Sequence, residues 1–182
     1  MAEYRRFSLA QKELLKQEGG FIIPSNGETI NDLKKRRKKF WTKQQEDFPL
    51  LKTFPSLRSE IAIFPDRFYL PKSNNKTFRE QEAMVVQFEQ ELKEQYDLEK
   101  VKAVLGNTPT HAFIAFSYHA ETGKRLHGKE YNYAYVRTKN PPAINPRIVD
   151  VGFFSDQNEL GINCHPEQND YLVYAAPLIL PK

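Results

Sequence analysis

The part of this sequence best suited to chemistry is a run of six adjacent cations that ends at two aromatic residues. Lysine and arginine neutralise phosphates and release their counterions, and an aromatic ring beside them can stack on a base. The formal net charge of the chain is +4, so the remainder carries −2 once these six charges are set aside. The run therefore predicts a local site for nucleic acid or another polyanion. Its residues are Lys34, Lys35, Arg36, Arg37, Lys38, Lys39 and, after Phe40, Trp41.

Two other interpretations of the run stay open. Most charge runs are solvated helical faces without a partner, and an acidic protein would be attracted by the same charges. Successive residues of a helix rotate by about 100°, so six consecutive cations cover every face of that helix. Such a helix cannot pack through an apolar stripe in this turn, and we expect it to project from the body of the protein.

A second candidate surface lies on a predicted hairpin whose turn is centred on Gly123. The predicted strands are 111–119 and 129–139, which places His119 opposite His127. Alternate residues of a strand share a face, so one face of the second strand carries both tyrosines and cations. Such a face can be a stacking platform for bases; alternatively, the tyrosines pack beneath the helices. The site residues on this face are Lys129, Tyr131, Tyr133, Tyr135 and Arg137.

The signals for catalysis are weaker. None of the four histidines has the short helical spacing of a zinc pair, and the chain has no glycine-rich phosphate loop. We therefore expect no bound metal and no cofactor. A metal-dependent hydrolase or nuclease remains a further alternative, with His119 or a cluster of carboxylates as its catalytic groups. The carboxylates that could gather are Glu60, Asp66, Glu130 and Asp150.

The composition is that of an ordinary globular protein. Hydrophobic residues make up 40% of the 182 residues and charged residues 27%. A chain of this length and composition can form a hydrophobic core without disulfides or structural metal ions. Cys164 is the only cysteine, so no intramolecular disulfide can form, and a reducing compartment is favoured. No apolar run approaches the length of a membrane span. We expect a cytoplasmic protein with no membrane partner.

Three sequence signals predict where helices begin. Each pairs a Ser or Thr cap with a Gln, Asp or Glu three residues later. The last of them opens the most regular amphipathic segment, which predicts a helix over 77–97. Val85, Phe88 and Leu92 of this helix should pack on a sheet. The three pairs are Ser8 with Gln11, Thr29 with Asp32, and Thr77 with Glu80.

The fold predicted from these patterns is α+β. Beyond Val101 short strands separated by turn residues replace the helical pattern. Strands are expected at 61–64, 101–105, 111–119, 129–139, 147–154 and 171–180. Helices followed by strands favour a largely antiparallel sheet packed against the helix 77–97. We divide the chain into a helical, basic N-terminal arm at 1–56, with the projecting basic helix, and an α+β core at 57–182, within one compact unit.

The functional expectation is a non-catalytic protein that binds nucleic acid, either RNA or DNA, or another polyanion. The principal alternative is a structural or assembly subunit of a larger protein or ribonucleoprotein complex. Its support is the projecting arm and an aromatic content of 13%, since aromatic residues are enriched in the cores of interfaces.

Overall fold

The computed structural model describes residues 3–41, 49–96, 98, 100–127, 134–141, 148–165 and 172–182. Within these ranges the chain forms five α-helices, a short 3-10 helix at Pro65–Arg67, and nine strands. The helices are α1 Leu9–Gln17, α2 Ile30–Lys35, α3 Pro49–Thr53, α4 Phe78–Tyr96 and α5 Thr108–Thr122. The strands are β1 Phe21–Asn26, β2 Lys39–Phe40, β3 Arg58–Ile63, β4 Val101–Leu105, β5 Tyr135–Arg137, β6 Ile148–Phe154, β7 Glu159–His165, β8 Val173–Tyr174 and β9 Pro177–Pro181.

The strands form two sheets, which confirms the α+β prediction. Sheet A has the order β1-β3-β9-β4, and all of its pairs are antiparallel. Sheet B has the order β2-β7-β6-β5-β8 and is mixed, because β2 runs parallel to β7 and β8 runs parallel to β5. In sheet A, β1 from the predicted N-terminal arm pairs along its whole length with β3.

Helix α5 lies between the two sheets, and α4 covers the opposite face of sheet A. One core joins α5 to Ile61 of sheet A and to Val151 and Ile162 of sheet B. A second core joins α4 to Ala62 and Ile179. Because neighbouring residues of a strand point to opposite faces, Ile61 and Ala62 serve different cores. The layers therefore follow the order α4, sheet A, α5, sheet B.

The prediction for α4 is confirmed. The Thr77 hydroxyl accepts a hydrogen bond from the Glu80 N–H at 3.3 Å, and a Glu80 carboxylate oxygen accepts one from the Thr77 N–H at 2.7 Å. Val85, Phe88 and Leu92 are buried beneath the helix. The helix packs on β4 and its neighbours, so the spacing of its apolar residues identified both the element and its buried face.

The predicted hairpin around Gly123 is wrong, because its first strand is the helix α5. Asn107 caps this helix, Pro109 lies in its first turn, and Gly123 ends it with φ of 70°. These are ordinary start and stop signals of a helix. The apolar pattern masks them, since a helix buried between two sheets has no polar face to mark its period. His119 therefore lies on a helix and does not face His127 across a hairpin.

The basic helix is also shorter than predicted and does not project. It is α2, which begins at the predicted Thr29 cap and ends at Lys35. Ile30 and Leu33 are buried, and they pack in the core shared with α5. The six cations are thus spread over the last turn of α2, a connecting turn and β2.

The remaining strand predictions have mixed outcomes. The strands expected at 61–64, 101–105 and 147–154 correspond to β3, β4 and β6, and 171–180 contains β8 and most of β9. Of 129–139, residues 129–133 lie outside the described residues, and Tyr135–Arg137 is β5. Strand β7 was not predicted. In the described parts of the chain, no helix is both long and apolar enough to cross a membrane.

Candidate functional site

The basic turn, residues 34–41, forms where α2 ends and β2 begins. Arg36 caps the helix, and Arg37 has φ of 60°, in the left-handed region. The Arg37 N–H donates to the carbonyl of Lys34 at 2.9 Å, and the Lys38 N–H donates to that of Leu33 at 3.1 Å. These two bonds make a Schellman motif, whose left-handed residue is usually glycine. Cations suit this end of a helix, because its last carbonyls carry partial negative charge.

Most of the charge on the basic turn faces solvent. Among the described residues, two of its cations lie within 4 Å of a carboxylate. Lys35 is 3.6 Å from Asp32, and Arg36 is 3.9 Å from Glu28. The Lys35–Asp32 pair is exposed, and exposed pairs contribute little energy. Glu28 is buried, but Arg36 itself is 60% exposed, so both cations can still meet an anion. The exposed cations are Lys35, Arg36, Arg37 and Lys39.

Trp41 closes the basic turn and remains 42% exposed. Its Nε1–H donates to the carbonyl of Phe153 at 3.3 Å, and the two rings meet edge to face with centroids 5.2 Å apart. The indole lies over Gly161, where an added Cβ would come within 2.7 Å of Nε1. One side of the ring is therefore fixed by the protein while the rest meets solvent, which suits stacking on a base.

Arg125, just beyond the C-terminal end of α5, adds a positive group beside the basic turn, and the sequence reasoning missed it. The Lys38 ammonium lies 5.5 Å from the ring centroid of Phe116, which meets Phe154 edge to face at 5.4 Å. The Arg125 guanidinium is 5.9 Å from the centroid of Phe154, and the His119 ring is 5.1 Å from it. Recognition of the start and stop signals of α5 would have placed Phe116 and His119 on a helix, whereas the predicted hairpin placed them on a strand.

The two predicted surfaces meet on one face of sheet B, which we call the outer face because it points away from α5. Tyr135 pairs with Gly152, and Gly152 pairs with Gly161 beneath Trp41. Asp150 is two residues from Gly152 and so shares its face. The outer face includes Lys39 with its partner Glu159, Trp41, Tyr135 with its partner Val173, Arg137, Asp150, Gly152, Gly161 and Asn163.

Tyr135 and Arg137 are buried on this face, with 6% and 0% of their surfaces exposed. Burial, with a further contribution from the negative charge of Asp150, raises the pKa of Tyr135 to about 12. Neither side chain is exposed to solvent in this structure, as the predicted stacking face would require. Lys129, Tyr131 and Tyr133 lie outside the described residues, and their place in the site stays a prediction.

Two buried histidines form a separate polar cluster inside the core. The Tyr69 hydroxyl and His127 Nδ1 share a hydrogen bond of 2.7 Å. Phe68 contacts both imidazoles, with ring centroids 6.3 Å from His111 and 5.5 Å from His127. Within the described part of the chain, both nitrogens of His111 and Nε2 of His127 have no hydrogen-bond partner. Burial lowers the pKa of each imidazole to about 3, so both are neutral at pH 7.

The carboxylates proposed for a nuclease do not gather where they can be described. Glu60 pairs with Lys12 at 2.7 Å, Asp66 is exposed in the 3-10 helix, and Asp150 lies in sheet B. Glu130 lies outside the described residues. Over the described ranges, no group of three or more His, Cys, Asp or Glu side chains is placed to hold a metal ion. This part of the chain therefore offers no support for metal-assisted hydrolysis.

Comparison of the chain with models of known protein families, with curated proteins and with solved structures finds no match in any of the three. The geometry of the basic turn and of the outer face is therefore the basis for a functional assignment.

Proposed function

We propose that this chain binds nucleic acid or another polyanion through the basic turn, in the cytoplasm and without catalysing a reaction. The observation that carries the proposal is the set of four exposed cations beside a half-exposed tryptophan. Exposed lysines and arginines contact phosphates at little desolvation cost, and a fixed aromatic ring adds base stacking.

The left-handed backbone conformation of Arg37 supports this proposal. A residue other than glycine at φ of 60° is strained, and glycine would be less costly at this place in a Schellman motif. The chain carries an exposed arginine there instead. A charge held at a cost to folding is understandable if the guanidinium contacts a ligand.

Arg125, near the end of α5, extends the proposed interface. It pairs with Asp156 at 3.0 Å, so its charge is partly neutralised. His119 is half-buried. We therefore assign the primary phosphate contacts to the basic turn and a secondary role to Arg125.

The test compares two variants in which equal charge is removed. The first replaces the four exposed cations of the basic turn by glutamine, and the second replaces four exposed cations elsewhere. Affinity for labelled single- and double-stranded oligonucleotides is measured at several salt concentrations, with thermal melts in parallel. The control positions are Lys16, Lys72, Arg79 and Lys100.

We expect the slope of log affinity against log salt to flatten by roughly one unit for each cation that no longer neutralises a phosphate, and only in the first variant. Trp41→Ala should weaken binding by about 1–3 kcal/mol if its ring stacks on a base. The proposal is refuted if the wild-type protein shows no salt-sensitive binding at low ionic strength, or if affinity falls equally in both variants.

A second candidate function, a subunit of a larger complex, is favoured by an apolar groove of about 560 Å³ beside β4, the edge strand of sheet A. Val86 of α4 lines the groove and is 60% exposed, and Lys102 and Lys139 also line it. Exposed apolar patches rimmed by polar residues often mark interaction surfaces. If the oligonucleotide titrations fail, Val86→Asp tests this alternative by abolishing co-purification of a partner.

A further inference from the structure

Arg137 is the largest fully buried side chain among the described residues. Its side chain is fully buried in the centre of sheet B. Nε lies 3.8 Å from Asp150 Oδ1, which is an ionic contact beyond hydrogen-bonding distance. In the described structure, Nε, Nη1 and Nη2 all lack a hydrogen-bond partner. A guanidinium carries five N–H donors, and buried donors in folded proteins are almost always paired.

The register of sheet B explains how the guanidinium is held. Arg137 of β5 lies directly opposite Asp150 of β6, and both strands have a neighbour on each side. The carboxylate comes closest to Nε, which leaves the edge formed by Nη1 and Nη2. Two parallel N–H groups on that edge match the two oxygens of a carboxylate or phosphate.

We propose that Arg137 anchors a small ligand by binding its carboxylate or phosphate group through Nη1 and Nη2, while Asp150 orients the guanidinium. This site does not depend on the basic turn, since Arg137 is buried and the cations of the basic turn are exposed. The ligand would supply the acceptors that the buried donors lack.

The test uses acetate and inorganic phosphate as probes for the two kinds of oxyanion. The melting temperature of the full chain is measured against probe concentration, with ionic strength held constant by sodium chloride. We expect one probe to raise the melting temperature saturably, and the identity of that probe gives the ligand group. Arg137→Lys keeps the charge but removes the two-pronged geometry, and it should weaken the response at least tenfold.

The variant with glutamine at Lys16, Lys72, Arg79 and Lys100 is the matched control, because these exposed cations belong to neither site, and it should respond to the probe as the wild-type protein does. If Arg137→Lys does not fold, native mass spectrometry of the purified wild-type protein decides instead, by detecting a bound small acid. The proposal fails if neither probe produces a saturable shift and no acid co-purifies, or if Arg137→Lys responds as strongly as the wild-type protein. In that case the arginine is only part of a buried ion pair with Asp150.

Discussion

The two buried histidines should make this protein sensitive to acid. His111 and His127 are neutral in the folded protein, because burial lowers the pKa of each to about 3. In the unfolded chain the pKa of histidine is about 6.5. Between these values the unfolded chain binds more protons than the folded one, so stability is lost as the pH falls below about 6.5.

The size of the effect follows from the two pKa values. Between pH 7.5 and pH 5, protonation of one histidine in the unfolded chain lowers the free energy of unfolding by about 2 kcal/mol. Both histidines together should therefore remove about 4 kcal/mol, a large share of the 5–15 kcal/mol typical of a domain.

Urea unfolding at several pH values between 7.5 and 5 measures this loss. A double variant, His111→Leu with His127→Gln, should start from a lower stability at pH 7.5 but lose little more on acidification. His119→Gln is the matched control, since His119 lies at the surface end of α5, and it should keep the full loss. An unchanged pH dependence in the double variant would show that the buried imidazoles do not control acid unfolding.

Three further outcomes are expected. Phe88→Ala should lower the free energy of unfolding by about 3–5 kcal/mol in urea titrations, whereas Val86→Ala on the exposed side of α4 should change it by less than about 0.5 kcal/mol. Burial raises the pKa of Glu89, but hydrogen bonds from two lysines and a β4 edge N–H outweigh it and lower this pKa to about 2. Glu89 should therefore stabilise the fold above pH 4.5 and lose this effect towards pH 2, so Glu89→Gln should cost about 1–2 kcal/mol at pH 7 and nothing near pH 2. Arg37→Gly should raise the melting temperature, corresponding to about 1 kcal/mol, and weaken oligonucleotide binding; a lower melting temperature would contradict the strain inferred at this residue.

The sequence predicts an element well where one side of it faces solvent. Helix α4 has a polar face and a buried face, so its apolar residues recur with the helical period, and its cap was correctly placed. Helix α5 is buried on every side from Thr108 to Phe116, between the two sheets, so its apolar residues show no period. The residues that mark α5 as a helix are Asn107 and Pro109 at its start and Gly123 at its end. Gly123 is equally compatible with a hairpin turn, so it did not identify the helix end.

The sequence singled out the cations and Trp41 as a candidate site, but it could not show that α2 stops inside the run. Glycine usually marks such a stop, and here the left-handed residue is Arg37. The burial of Arg137 could not be foreseen either, because it depends on which strands flank β5 in sheet B.

The register of sheet B determines which side of the sheet Asp150 faces. Val149 and Val151 point into the core shared with α5, so Asp150 must point to the outer face, where Arg137 lies opposite it. The outer face thus carries exposed charge at Lys39 and buried charge at Arg137. Salt screens exposed charges far more than buried ones. Anion binding at the basic turn should therefore weaken steeply as salt rises, whereas binding at Arg137 should change little, and a salt series separates the two sites on one sheet.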